Sequence, residues 1–178
     1  DKSPTVTNIS PSRCQHPSPG CAIVNSMLRL AAVTGEDSIT DLGAGDGRVC
    51  IHAAKLYGAR AWGVELDDAE ASKFRKHVEH FGLESLVRLT HGDLGQVSAQ
   101  DLVDSTTVLT LFLLPEAIES IRELVDQFLE KEGNRVVAQA WGLSWRQPTR
   151  VEHVGSTAVA LLRYDGGAPV EAAAAAAR

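Results

Sequence analysis

Apolar residues along the chain alternate between two periods. Ile23, Val24, Met27, Leu28 and Ala31 recur at helical spacing, Gly35 stops that helix, and 38–42 (Ser-Ile-Thr-Asp-Leu) reads as a buried strand. A helix over 47–57 and a short strand over 61–65 come next, then a helix capped by Asp67 or Asp68, with Phe74, Val78 and Phe81 on its core face and Gly82 at its end. Strands are predicted at 86–90 and at 106–114; the second is nearly continuous in apolar residues, broken by Thr110, as a strand covered on both faces requires. Pro115 opens a helix whose stripe is Ile118, Ile121, Val125 and Phe128, decorated by Glu116, Glu119, Glu123, Asp126 and Glu130, and Gly133 closes it before a fifth strand at 135–140. This alternation predicts an α/β fold, Rossmann-like and doubly wound, with a mostly parallel sheet and helices on both faces. Runs at 150–154 and 157–164, separated by Gly155-Ser156, read as an antiparallel hairpin that ends a sheet of six or seven strands.

The ends differ from the middle. Residues 1–20 carry Pro4, Pro11, Pro17 and Pro19 among Ser and Thr and read as an arm; 21–165 form the domain; 166–178, with alanines from Ala172 to Ala177, form a low-complexity tail. With 178 residues the chain can bury a core without disulfides or structural metal. Its 17 basic against 23 acidic side chains leave a formal charge of −6, which gives no broad cationic field for a phosphate backbone and disfavours nucleic acid as partner. No apolar run approaches the ~20 residues of a membrane span. Cys14, Cys21 and Cys50 form no closed disulfide framework, and His52, His77, His80 and His153 show no paired metal spacing, so no metal is expected. A reducing compartment fits: the cytoplasm, or a mitochondrion if a presequence has been removed from a chain that opens at Asp1.

The informative stretch is Asp41-Leu42-Gly43-Ala44-Gly45-Asp46-Gly47, where the first strand turns into the first long helix. A dinucleotide fingerprint needs its third glycine where this chain has Arg48. A D-x-G-x-G-x-G loop instead lets the backbone approach a bulky ligand and bend around an amino-acid moiety, with Asp41 placed to meet its ammonium. That suits S-adenosyl-L-methionine. Glu65, at the end of the second strand, can accept both ribose hydroxyls, and Asp93, after the third, can accept from the adenine amine while Leu94 packs on the ring. Each feature alone has an ordinary explanation, a salt bridge for Asp41 or tight packing for Gly43, Gly45 and Gly47. Their joint order along one short chain favours a cofactor.

These residues resemble a class I, seven-strand S-adenosylmethionine-dependent methyltransferase over 17–165. Asp41 to Arg48, Gly63-Val64-Glu65-Leu66 and Leu111-Phe112-Leu113-Leu114-Pro115-Glu116 are similar to the protein-lysine methyltransferases that include the ATP synthase c-subunit lysine methyltransferase and its prokaryotic relatives. The resemblance implies that Pro17, Ser18 and Pro19 lie against the cofactor beside Asp41, Gly43, Ala44, Gly45, Asp46, Gly47, Glu65, Leu66, Asp93 and Leu94. It also implies that 112–115 border the methyl group; the favoured acceptor is a lysine side chain of a protein. Two departures bear on the acceptor. An aromatic-proline run after the fifth strand is replaced by Gln-Ala-Trp-Gly-Leu-Ser-Trp at 139–145, and the link from 141 to 149 is too short for the usual crossover helix. Phe112, Pro115, Trp141 and Trp145 are the candidate substrate-site residues, with the aromatics as a wall for a lysine stem or simply as core. His16, Asp46 and Glu116 are candidate helpers that also have ordinary roles as arm, loop and first-turn helix residues. No Asn-Pro-Pro-Tyr or Asp-Pro-Pro-Tyr run comes after the fourth strand, which counts against nucleobase amino methylation. A small-molecule N- or O-methyltransferase and a non-catalytic cofactor-binding module are the alternatives.

Overall fold

The computed structural model of the protein describes residues 19–154 and 159–167. In chain order the elements are α1 (Pro19–Leu30), β1 (Ser38–Leu42), α2 (Arg48–Tyr57), β2 (Arg60–Glu65), α3 (Asp68–Phe81), β3 (Val87–His91), α4 (Ala99–Ser105), β4 (Val108–Leu111), α5 (Pro115–Ser120), α6 (Arg122–Glu130), β5 (Arg135–Gln139), β6 (Arg150–His153) and β7 (Ala160–Asp165). The strands form one seven-stranded sheet in the order β3-β2-β1-β4-β5-β7-β6. β1 to β5 run parallel, and β7 is antiparallel to both β5 and β6, so β6 at the edge again points with the parallel set.

Period-two burial places one apolar set on each face of the sheet. Ile39, Val108, Val137 and Leu161 pack with Met27 and Leu28 of α1 and Val49 and Ala53 of α2, while Ala61 and Val87 pack with Cys50 of α2 and Phe74 and Val78 of α3. Leu42, Leu109, Leu111, Val136 and Ala138 face α4, α5 and α6 through Leu102, Ile118, Val125 and Phe128. Strand order reverses between β1 and β4, so the connections after these two strands diverge and leave a crevice at the carboxyl edge, where ligands of such sheets bind.

The expected fold is present, with local corrections. The strand expected over 106–114 pairs only from Val108 to Leu111; Leu114 is already extended as the cap of α5, with Pro115 at its first turn. The single helix expected after Pro115 breaks at Ile121 (φ −107°, ψ 16°) into α5 and α6. α4 was not anticipated, although Ser98, whose hydroxyl accepts from the Asp101 amide (3.1 Å), is a readable cap. Phe81 is exposed beneath the Lys55 ammonium rather than in the core, and Asp67, not Asp68, caps α3. The last two strands are the expected antiparallel pair, and no helix lies on the return from β5 to β6. The turn at Gly155-Ser156 lies outside the described residues, as do Pro17, Ser18 and residues 168–178.

One buried ion pair fastens the amino edge of the sheet. Asp37 accepts from the Thr34 amide (2.8 Å), the Thr107 hydroxyl (2.7 Å) and the Arg135 guanidinium, which also donates to the Ala31 carbonyl at the end of α1 (3.0 Å). Burial alone would raise the Asp37 carboxyl, but hydrogen bonds from Thr107 and Thr34 and the Arg135 charge hold it below its ordinary value. Asp37→Ala strands Arg135 without its charge partner, so equilibrium denaturation is expected to show a loss of about 3 kcal/mol or more. A loss under about 1 kcal/mol would mean the pair is replaceable by solvent.

Candidate functional site

The glycine loop is shaped by three left-handed residues, Gly43 (φ 77°), Gly45 (φ 55°) and Gly47 (φ 80°). The reasons for glycine differ. A Cβ on Gly47 would collide with the Phe74 ring, and one on Gly43 would lie 2.6 Å from Leu113. Among the described residues, a Cβ on Gly45 would meet nothing within 4 Å. Packing thus requires glycine at 47, Gly43 owes its glycine to its left-handed backbone more than to the movable Leu113 side chain, and Gly45 leaves open space among the described residues in front of the loop.

Four hydrogen-bond ties lash the loop to the neighbouring elements. The amides of Gly43 and Ala44 donate to the Val64 carbonyl (2.9 and 3.0 Å), and the Gly45 amide donates to Glu65 Oε2 (2.6 Å). His77 Nδ1 lies 2.9 Å from the Asp46 carbonyl. The second oxygen of Glu65 accepts from the Asp67 amide (2.7 Å), so both carboxylate oxygens are oriented by backbone donors. Asp46 is held by Arg48 through Nε (2.8 Å) and Nη2 (2.9 Å), which lowers its carboxyl below the ordinary value.

The expected acids are staggered along the carboxyl edge. Asp41 pairs laterally with Gly63 on one side and Thr110 on the other, Glu65 pairs with His91, and Asp93 lies just beyond β3. Asp41 is 4% exposed and accepts from the Thr110 hydroxyl (2.7 Å). Burial first, and then the charges of Glu65 and Asp46, push its carboxyl up to about 7 against the opposing hydrogen bond from Thr110. Asp93 accepts from the Gly95 amide (2.8 Å) and so caps a short 3-10 turn that begins with Leu94. Cys50, beneath Asp41, is fully buried, and burial and the Asp41 charge push its thiol well up, so it is a core residue and not a nucleophile.

The residues expected on the acceptor side divide. Phe112 (61% exposed), Leu114 (67%) and Trp141 (50%) stand out from the ends of β4 and β5, and Leu66 is exposed after β2. Pro115 and Glu116 sit exposed in the first turn of α5. Trp145, expected as a candidate wall, is instead 8% exposed: it packs in the core with α6, its indole N–H donates to Asp126 (3.0 Å), and Arg122 lies over its ring. The return loop over 140–149 is pinned by the Leu143 amide donating to the Tyr164 hydroxyl (2.8 Å). Pro19 is the first residue of α1. Thr110 and His77 were missed by sequence reasoning. Thr110 left a trace, the one polar break in an apolar strand, whereas nothing in the sequence aims His77 at the loop. A separate cleft of about 520 Å³ opens at the amino edge, away from these residues, and Arg60, Arg88 and Lys131 there are offset by Glu36, Glu84 and Asp104.

The sequence matches the model of the ANTKMT methyltransferase domain over residues 41–150. A protein-lysine N-methyltransferase of Saccharolobus islandicus is 32% identical over 130 residues, covering 72% of this chain and 78% of that protein. A ribosomal protein L11 methyltransferase of Desulforamulus reducens is 36% identical over 62 residues, 35% of this chain and 20% of that protein. Among solved structures, an RNA methyltransferase from Salinibacter ruber in complex with S-adenosyl-L-homocysteine superposes with a TM-score of 0.74 at 33% identity, covering 84% of this chain and 92% of that one. With a switch-point crevice, a D-x-G-x-G-x-G loop and staggered acids on a 3-2-1-4-5-7-6 sheet, the chain belongs to the ANTKMT methyltransferase domain family, class I methyltransferases that use S-adenosyl-L-methionine.

Proposed function

We propose that the protein transfers the methyl group of S-adenosyl-L-methionine to a lysine side chain of a protein substrate. The observation that carries the acceptor is the relationship to the Saccharolobus protein-lysine N-methyltransferase, which runs through most of both chains. The cofactor fits the residues present: open space before Gly45, a buried Asp41 carboxylate whose hydrogen-bond partner among the described residues is the neutral Thr110 hydroxyl, and a Glu65 carboxylate already oriented by the Gly45 and Asp67 amides. In this reading Asp41 meets the ammonium, Gly43 to Gly47 lie along the amino-acid moiety, Glu65 receives the ribose hydroxyls with Leu66 beside them, and Asp93 and Leu94 read adenine by edge and face.

When bound, the cofactor supplies a methyl group on a positively charged sulfur. The protein's task is to bring a neutral amine into line with it. A free lysine titrates near ~10.4, so presenting it neutral at pH 7 costs roughly 4.6 kcal/mol. Burial of the stem against Phe112, Leu114 and Trp141 disfavours the ammonium and lowers that cost. Glu116, in the first turn of α5, complements the helix dipole, and Asp46 is occupied by Arg48, so neither is assigned as a base.

The Salinibacter relative favours a second reading, an RNA acceptor. Against it stand the net charge of −6 and the exposed Glu116 in the first turn of α5, beside the rim, which repel a phosphate backbone. Methyl-labelled cofactor and a lysate from cells lacking the protein separate the two. Label that survives nuclease, is released by protease and maps to methyl-lysine is the expected result; nuclease-sensitive label would replace the protein acceptor with RNA.

A further inference from the structure

Helix α3 touches the glycine loop at two residues one turn apart. Phe74, fully buried, lies where a Cβ on Gly47 or Gly63 would sit, and His77 reaches the Asp46 carbonyl on the same helical face. We propose that His77 is a positioning residue for cofactor binding, fixing the peptide plane of Asp46 so that the glycine loop is already in its binding shape before the ligand arrives. The inference rests on the assignment of that loop to the cofactor.

A carbonyl can only accept, so Nδ1 of His77 carries the proton. The neutral Nδ1–H tautomer and the imidazolium both supply it, which makes the tie independent of the ring's charge. Asp46 stands between two left-handed glycines, Gly45 and Gly47, the residues whose backbone turns most freely. Its side chain is held by Arg48, itself largely exposed; the peptide that follows is held at both ends, the Gly47 amide donating to the Ala44 carbonyl within the loop (2.9 Å) and the Asp46 carbonyl tied to α3 by His77. Glu65 fixes the preceding amide, at Gly45. Without His77 the Asp46–Gly47 peptide keeps only the Gly47–Ala44 bond inside the loop and loses its anchor to α3, so the ligand must supply more of its ordering on binding.

The test is calorimetric titration of S-adenosyl-L-homocysteine into the full chain, with backbone amide exchange monitored over 43–48. His77→Ala is expected to weaken binding about tenfold and to speed exchange in the loop while the melting temperature stays near that of the parent. His77→Asn, whose side-chain amide can donate from nearly the same place, is expected to recover most of the affinity; His77→Phe, which keeps a ring without the donor, is not. Affinity for His77→Ala within twofold of the parent, or His77→Asn as weak as His77→Ala, overturns the role of the donated hydrogen bond. Gly45→Arg, run beside them, isolates the assignment beneath: if that chain binds as tightly as the parent, the loop itself is not the cofactor site.

Discussion

Gly45→Arg is expected to give a folded chain that produces no binding heat with S-adenosyl-L-homocysteine, whereas Gly47→Ala is expected to lose much of its folding stability. Both glycines have positive φ, so either substitution carries a backbone cost of about 1–2 kcal/mol. The surroundings of the added Cβ set the two apart. At Gly45 nothing among the described residues stands within 4 Å, and the side chain extends into the space proposed for the cofactor. At Gly47 the new methyl meets Phe74, which is fully buried and also lies over Gly63, so it has no room to retreat. Overpacking adds about 1–3 kcal/mol to the backbone cost, a large share of an ordinary domain's ~5–15 kcal/mol. Denaturation midpoints and calorimetry read the two effects separately. Normal affinity in Gly45→Arg would sink the pocket assignment, and normal stability in Gly47→Ala would sink the packing account.

Asp41 carries the second large effect. Its carboxyl ordinarily titrates near 3.8 and is raised in the fold to about 7, so the ligand-free protein holds this proton more tightly than the unfolded chain does. Stability from this group is complete below about pH 4 and is lost as pH rises through 7, a swing of about 4 kcal/mol. Asp41→Asn keeps the acceptor for Thr110 and removes the buried charge, so at pH 8 its ligand-free melting temperature is expected to rise by about 5 °C or more. Cofactor binding is expected to move the other way. A ligand ammonium selects the ionised carboxylate, so affinity for S-adenosyl-L-homocysteine should fall about tenfold from pH 8 to pH 6 in the parent. In Asp41→Asn it should be weak and nearly flat with pH. A variant that binds as well as the parent, or melts lower at pH 8, would remove Asp41 from this role. Above pH 7, where it is ionised, such a residue costs stability until a ligand occupies it, the usual trade between a ready site and a stable fold.

How legible this was depended on whether a signal is local. Asp41, Gly43, Gly45, Gly47 and Glu65 were readable because strand ends and loop glycines announce themselves in order along the chain, and the fold brings them to one edge. Asp93 was readable as an acid after a strand, but not as the cap of the turn containing Leu94. Trp145 misled because an aromatic in a loop has two fates, and only the docking of the return loop on α6 gives its indole a buried partner. The break at Ile121 was hidden by a stripe that continues in phase across it. His77 could not be found at all, since its target is a peptide carbonyl brought near by the register of α3 on the loop.

The return from β5 to β6 has a wider consequence. One side of the crevice is built on strands braced by α1, α2 and α3, while the other is bordered by a helix-free span secured by the Tyr164 phenol and the Asp126 carboxylate. Lengthening that span would reshape what can approach the proposed methyl position without disturbing the acids proposed to hold its donor. Under the proposed assignment, acceptor choice and donor retention therefore rest on separately braced parts of the scaffold.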